Sequence, residues 1–124
     1  MKKYSLKFLI RTTSTDKRKQ VKVKARLTVG RNIDLIADTG YFVMLGEWNP
    51  KKERPEPNRN STLADIVNIN HVNEQLGKLK IFLDKRIVAE LQIGEINSDW
   101  LLTSIEMFLN PEKFETKSIT LFSF

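Results

Sequence analysis

The 124-residue chain contains no cysteine and a single histidine, His71. The first absence excludes a disulfide framework, a thiolate metal site and a cysteine nucleophile. A lone histidine without cysteine partners gives no zinc-ligand spacing, and general-base catalysis would need a partner that the sequence does not offer. His71 is therefore read as an ordinary helix residue. No glycine-rich phosphate loop and no nucleophile elbow is present. No apolar run approaches the length of a membrane span. The opening Met1-Lys2-Lys3 is followed by an apolar stretch too short for a signal peptide, interrupted by Lys7 and ended by Arg11. These absences lead us to expect no catalytic residue, metal, cofactor, small-molecule substrate or membrane partner, and a soluble, cytoplasmic protein.

What is present is positive charge, unevenly placed. The net charge is +6. Residues 1–60 hold 15 Lys and Arg against 6 Asp and Glu, a balance of +9, whereas residues 61–124 hold 6 against 9, a balance of −3. A generally basic protein would not divide this way; an excess in one half is what a polyanion-binding face requires. With 40% hydrophobic residues the chain can build a modest core.

The basic half reads as strands. In 4–11, Tyr4, Leu6, Phe8 and Ile10 alternate with Ser5, Lys7, Leu9 and Arg11, the period of a half-buried strand. The polar run 12–19 is a loop. Between 20 and 29, Val21, Val23, Ala25, Leu27 and Val29 form an apolar row opposite Lys22, Lys24, Arg26 and Thr28. Gly30-Arg31-Asn32 follows, and then Ile33, Leu35 and Ala37 alternate with Asp34, Ile36 and Asp38. A three-residue loop pairs Val29 with Ile33, Leu27 with Leu35 and Ala25 with Ala37, keeping both apolar rows on one face. A two-residue loop would set Leu27 against Asp34. The favoured register also sets Lys24 opposite Asp38, a cross-strand charge pair. Thr39-Gly40 is read as the strand end.

The expected class is α+β: a three-stranded antiparallel sheet packed on a long helix, followed by a second, shorter helix. Residues 1–93 form the first unit: sheet 4–38, a covering segment 41–48 folded back over the sheet, an exposed linker 49–60 with three prolines, and a helix over 61–92 capped by Asn60 or Ser61. That helix would span on the order of 48 Å at 1.5 Å per residue, with one end projecting. Its apolar stripe is Ile66, Ile69, Val72, Leu76, Leu79, Leu83, Val88 and Leu91. Residues 94–124 hold a linker and a helix capped by Asn97 or Ser98 and stopped before Pro111, then an apolar run cut off at Phe124. Trp48 and Trp100 are expected as core anchors.

The candidate site is the basic sheet face. Lys7, Arg11, Lys22, Lys24 and Arg26 share it, Lys17, Arg18 and Lys19 extend it at one end, and Arg31 lies at the opposite hairpin. Arg and Lys on a sheet in the major groove can neutralise phosphate and read guanine. Thr28 offers a hydroxyl contact, and Leu9 and Ile36 offer apolar contacts to thymine methyls. The bland alternative is a solvated sheet face, and the charge split between halves favours function. Lys51, Lys52, Arg54 and Arg59 form a second basic cluster, diluted by Glu53 and Glu56. Asp34 and Asp38 share the sheet face, where they are expected to pair with lysines rather than to act as acid and base.

The stretches Tyr4-Ser5-Leu6-Lys7-Phe8-Leu9-Ile10-Arg11, Val23-Lys24-Ala25-Arg26-Leu27-Thr28-Val29-Gly30, Thr39-Gly40 and Glu47-Trp48-Asn49-Pro50-Lys51-Lys52 together resemble the arm-type DNA-binding domain of tyrosine recombinases. More specifically, they are similar to the N-terminal part of integrases from conjugative transposons and related mobile elements. The resemblance covers roughly residues 4–92 in element order, and its specific part runs from Thr39-Gly40 to the Trp48-Asn49-Pro50-Lys51 segment. Asn110-Pro111-Glu112-Lys113 with Thr120-Leu121-Phe122 is similar to the junction before the core-binding domain. The resemblance implies an N-terminal fragment of an integrase, a sheet face inserted in the major groove of arm-type sites, and a role in DNA recombination and integration. Strand exchange in such enzymes uses a tyrosine in a C-terminal domain, and neither Tyr4 nor Tyr41 matches that motif. Two departures stand out: Gly30-Arg31-Asn32 rearranges the family's hairpin, and Asp34 and Asp38 lower the local positive potential.

Five neutralised phosphates would give a log–log salt slope of about −4 to −5. The rival readings are a protein-interaction or self-association module built on the long helix, and a double-stranded RNA binder.

Overall fold

A computed structural model describes residues 3–93 and 96–112. Three antiparallel strands form the main sheet in sequential order: β1 (Tyr4–Ile10), β2 (Gln20–Val29) and β3 (Ile33–Met44). A small hairpin, β4 (Trp48–Asn49) and β5 (Arg54–Pro55), follows. The helices are α1 (Leu63–Ile93) and α2 (Ser98–Leu109). The protein is thus α+β, a three-stranded antiparallel sheet followed by a long and a shorter helix. The tail expected to begin a core-binding domain falls almost wholly at 113–124, outside the described residues, as does Gly94 of the expected helix break.

The β2–β3 register is the one that the apolar rows demand: Val29 opposes Ile33, Leu27 opposes Leu35, Ala25 opposes Ala37 and Lys24 opposes Asp38. β1 joins in phase, with Leu6 opposite Leu27 and Phe8 opposite Ala25. All apolar rows therefore meet on one side. Val23, Ala25 and Leu27 on the central strand are fully buried there. Gly30, at φ +57°, opens the connecting loop, a conformation glycine adopts without a Cβ penalty.

β3 does not stop at Thr39-Gly40. A bulge places Thr39, Gly40 and Tyr41 against Val23, after which pairing resumes as Lys22–Phe42, Val21–Val43 and Gln20–Met44. The two extra residues preserve the alternation, so Val43 still points into the core. Thr39 is buried, and its hydroxyl donates to the Val23 carbonyl at 2.8 Å. Gly40 has φ +88°, and a Cβ there would lie 2.9 Å from Cδ1 of Leu109 on α2. Residues 41–44, expected to fold back as cover, instead extend the strand.

The segment expected as an exposed linker is partly structured. Asn49 Oδ1 accepts from the amides of Lys51 and Lys52 and so turns the β4–β5 hairpin. Glu53, at φ 58°, accepts a hydrogen bond from the Phe8 amide at 2.9 Å, and Pro55 is buried. The hairpin thus blocks part of the free edge of β1.

α1 covers the apolar sheet face with Val72, Leu76, Leu79, Leu83 and Ile87. The expected stripe holds from Ile69 to Leu83, but Ile87 continues it rather than Val88, which is 38% exposed. Four residues beyond Leu83 return to the buried side of a helix; five do not. The N-cap is Thr62, not Asn60 or Ser61: Thr62 Oγ1 accepts from the Asp65 amide and Asp65 Oδ2 accepts from the Thr62 amide, a reciprocal capping box. Ser61 instead donates to the buried Glu47 carboxylate at 2.7 Å. Residues 63–68 bury no side chain fully, and Leu63 and Val67 are among the most exposed apolar residues.

Two tyrosines tie the sheet to α1. Tyr4 donates to Asp84 at 2.9 Å and Tyr41 to Gln75 at 3.3 Å. α2 is capped by Asn97, whose side chain accepts from the Trp100 amide, and it lies against β3 and α1. Arg86 of α1 donates to Ser104 at 3.0 Å and stacks on Trp100, 5.5 Å from its ring centre. Trp48 and Trp100 are half-buried at the margin of the core, not inside it.

Candidate nucleic-acid interface

Because side chains alternate across a strand, burying one sheet face under α1 commits the other to the outside. The outer rows run across the sheet as Ser5–Thr28–Asp34, Lys7–Arg26–Ile36 and Leu9–Lys24–Asp38, with Lys22 opposite Phe42 beyond the bulge. None of these residues is buried. Arg11 follows directly after β1 and is exposed. Lys7, Lys22, Lys24 and Arg26 therefore lie together on this face, and Arg11 is near enough to it to attract the Asp34 carboxylate. Thr28 is half-buried among them, Leu9 and Ile36 are partly covered, and Arg31 is exposed at the hairpin tip.

The cations are not equivalent. Asp38 bridges two of them, with Lys24 Nζ at 3.1 Å and Lys22 Nζ at 3.6 Å. Asp34 takes Arg26 through two parallel bonds, from Nε to Oδ1 at 2.9 Å and from Nη2 to Oδ2 at 2.7 Å. The hydrogen bonds from Arg26 hold the Asp34 carboxyl below its ordinary pKa, and those from Lys24 do the same for Asp38. The Arg26 guanidinium is raised in turn. Asp34 thus pairs with an arginine rather than a lysine. The register places Thr28 directly opposite Asp34, and Arg26 reaches it on the diagonal.

Lys7 and Arg31 have no ion-pair partner among the described residues, and Arg11 attracts the Asp34 carboxylate without forming a close ion pair with it. Five cations and two carboxylates leave the face at +3. Ser5, Lys7, Arg26 and Thr28 line a shallow depression of about 260 Å³. Phe42, 47% exposed, ends the face beside Lys22 and was not singled out from the sequence. Its place in the outer row follows only once the bulge is known.

The other basic groups lie around this face. Lys17, Arg18 and Lys19 are exposed in the β1–β2 loop, where Lys17 and Arg18 line a depression with Asn58, Asn60, Thr62 and Asp65 at the start of α1. In the second cluster Lys52 pairs with Glu56 at 2.7 Å, while Lys51, Arg54 and Arg59 are exposed around the β4–β5 hairpin. His71 is exposed on α1, edge-on to Tyr41. No helix of the described residues is long and apolar enough to cross a membrane.

No protein-family model, curated protein or solved structure matches the chain significantly.

Proposed function

We propose that the chain binds double-stranded DNA through the outer face of the β1–β2–β3 sheet. The observation that carries this reading is the pairing of an uncovered face bearing Lys7, Arg11, Lys22, Lys24 and Arg26 with an opposite face wholly committed to the core. Alternate residues along a strand lie about 6.6 Å apart. Two base pairs rise about 6.8 Å. A central strand tracking the major groove would thus present Lys22, Lys24 and Arg26 to alternate steps of the duplex. Lys7 and Arg11 on the flanking strand, and Arg31 at the tip, are suited to the phosphates that border the groove.

The three-stranded antiparallel sheet followed by a long helix is also the architecture implied by the resemblance to arm-type domains of tyrosine recombinases. On that reading the chain is the arm-site-binding part of an integrase of a conjugative transposon or related mobile element, acting in DNA integration in the cytoplasm. Catalysis would belong to another domain of the parent protein.

The test is a salt titration of binding to duplex DNA, with the Lys22/Lys24/Arg26→Ala triple variant beside the wild type. The proposal expects salt-sensitive binding that the triple variant loses. Equal affinity of variant and wild type would refute it, and preference for duplex RNA in competition would redirect it to A-form helices.

A further inference from the structure

We infer that Arg26 reads a guanine base edge and that Asp34 is the positioning residue that aims it. The inference rests on the DNA-binding reading above and adds to it a chemical identity for one base.

A guanidinium carries five N–H donors in one plane. Asp34 engages two of them, those of Nε and one of Nη2, along the side edge of the group. That leaves the end edge free, where one N–H of Nη1 and one of Nη2 point forward in parallel. In the major groove guanine presents two acceptors side by side, N7 and O6, which fit this fork. Adenine places an amino donor where guanine has O6, so the same edge is repelled. A lysine could not make the distinction, because its ammonium is a point charge without a fork.

The charge arrangement favours a base over a phosphate for this residue. Together Arg26 and Asp34 are net neutral, and the Asp34 carboxylate would repel a phosphate brought to the side edge. A neutral base edge meets no such repulsion. Lys7, directly opposite Arg26 on β1, has no carboxylate partner among the described residues and is the better phosphate ligand. Position agrees: Arg26 sits on the central strand, between Lys7 on β1 and Ile36 on β3, beside the depression it lines with Ser5, Lys7 and Thr28. Arg26 and Asp34 side chains are 40% and 53% exposed. At that exposure an ion pair adds little to stability. Its effect is to hold one rotamer of a long side chain before the DNA arrives, which lowers the ordering cost of a specific contact.

The experiment selects the full chain against a duplex library with a randomised central segment, at physiological salt, and sequences the retained DNA. Wild type is expected to enrich guanine at one position, with discrimination of about 5- to 150-fold for one bidentate contact. Arg26→Lys should still retain duplex but lose preference at that position. Asp34→Asn should retain duplex at least as well, with the same preference flattened. Circular dichroism of both exposed-site variants checks that they remain folded. Retention without a guanine position, or a guanine position unchanged in either variant, overturns this inference alone. If wild type retains no duplex, the DNA-binding reading falls and this inference with it.

Discussion

Lys24 and Asp38 face each other across the β2–β3 ladder, ammonium to carboxylate at 3.1 Å, and the same carboxylate reaches Lys22 at 3.6 Å. With the Arg26–Asp34 pair this divides the basic face into three cations that carry counter-charges and others that do not. DNA binding to such a face releases fewer counterions than its cation count suggests.

The first prediction follows from that division. If the pairs persist in the complex, the face acts with a net charge of +3, and the log–log salt slope should be about −3, from about −0.9 per neutralised phosphate. The Asp34→Asn/Asp38→Asn variant should steepen it to about −4 to −5, the value for five free cations, and bind tighter at low salt. Fluorescence anisotropy of a labelled duplex between 50 and 200 mM salt measures both slopes. Equal slopes would mean that the carboxylates do not compete with phosphate.

A second prediction concerns acid titration. Asp34 and Asp38 both have folded-state pKa values below the ordinary 3.8. Ionised, each is favoured by the fold, so whatever stability the pairs add is fully present above the ordinary aspartate pKa. It is lost as pH falls through the depressed values. Carboxyl-carbon NMR should show both groups titrating below their unfolded-state range. Arg26→Ala should raise Asp34 toward the ordinary range, against the remaining attraction of Arg11, and leave Asp38 low, because Asp38 is held by Lys24 and Lys22. Movement of both would contradict the separation of the two pairs.

The register was legible because a three-residue loop keeps the apolar rows of β2 and β3 on the same side and a two-residue loop does not. Lys24 opposite Asp38 came with it. The Arg26–Asp34 pair was not legible in the same way, since it runs diagonally and depends on side-chain reach rather than on register. Thr39-Gly40 carries the local signature of a strand end, yet Thr39 makes its own hydrogen bond inside the sheet and Gly40 takes the positive φ that the bulge requires. Local chemistry at a bulge and at a terminus is alike, and only the pairing of Gln20–Lys22 with Phe42–Met44 separates them. The inward face of α2 was legible in the helical spacing of Leu101, Ile105, Phe108 and Leu109, but the close approach of Leu109 to Gly40 on β3 was not, because it depends on tertiary placement rather than on period.

The bulge supplies the third prediction. Thr39→Val keeps the shape but leaves the buried Val23 carbonyl without its hydroxyl donor, at a cost of about 1–3 kcal/mol. Thr39→Ser should recover much of that. Gly40→Ala forces a side chain into the left-handed region, costing about 1–2 kcal/mol, and pushes against the Leu109 methyl 2.9 Å away. Urea denaturation checks each stability. Hydrogen exchange should show faster opening in α2 for Gly40→Ala and in the β2–β3 ladder for Thr39→Val.

The fourth prediction concerns the free edge of β1. Phe8 points its amide out of the sheet, and the Glu53 carboxylate accepts from it at 2.9 Å. Glu53 does so from a left-handed backbone conformation that is costly for a residue with a Cβ. Two opposing effects therefore meet at one residue, and substitutions can separate them. Glu53→Ala keeps the backbone cost and loses the acceptor, so it should destabilise by about 1–2 kcal/mol and expose the Phe8 amide to fast exchange. Glu53→Gln keeps an acceptor and should protect that amide nearly as well as the parent. Glu53→Gly loses the acceptor but relieves the backbone, so its stability should lie above that of Glu53→Ala while its Phe8 amide exchanges as fast. If Glu53→Gly instead matched the parent in both readouts, the carboxylate would not be what closes this edge.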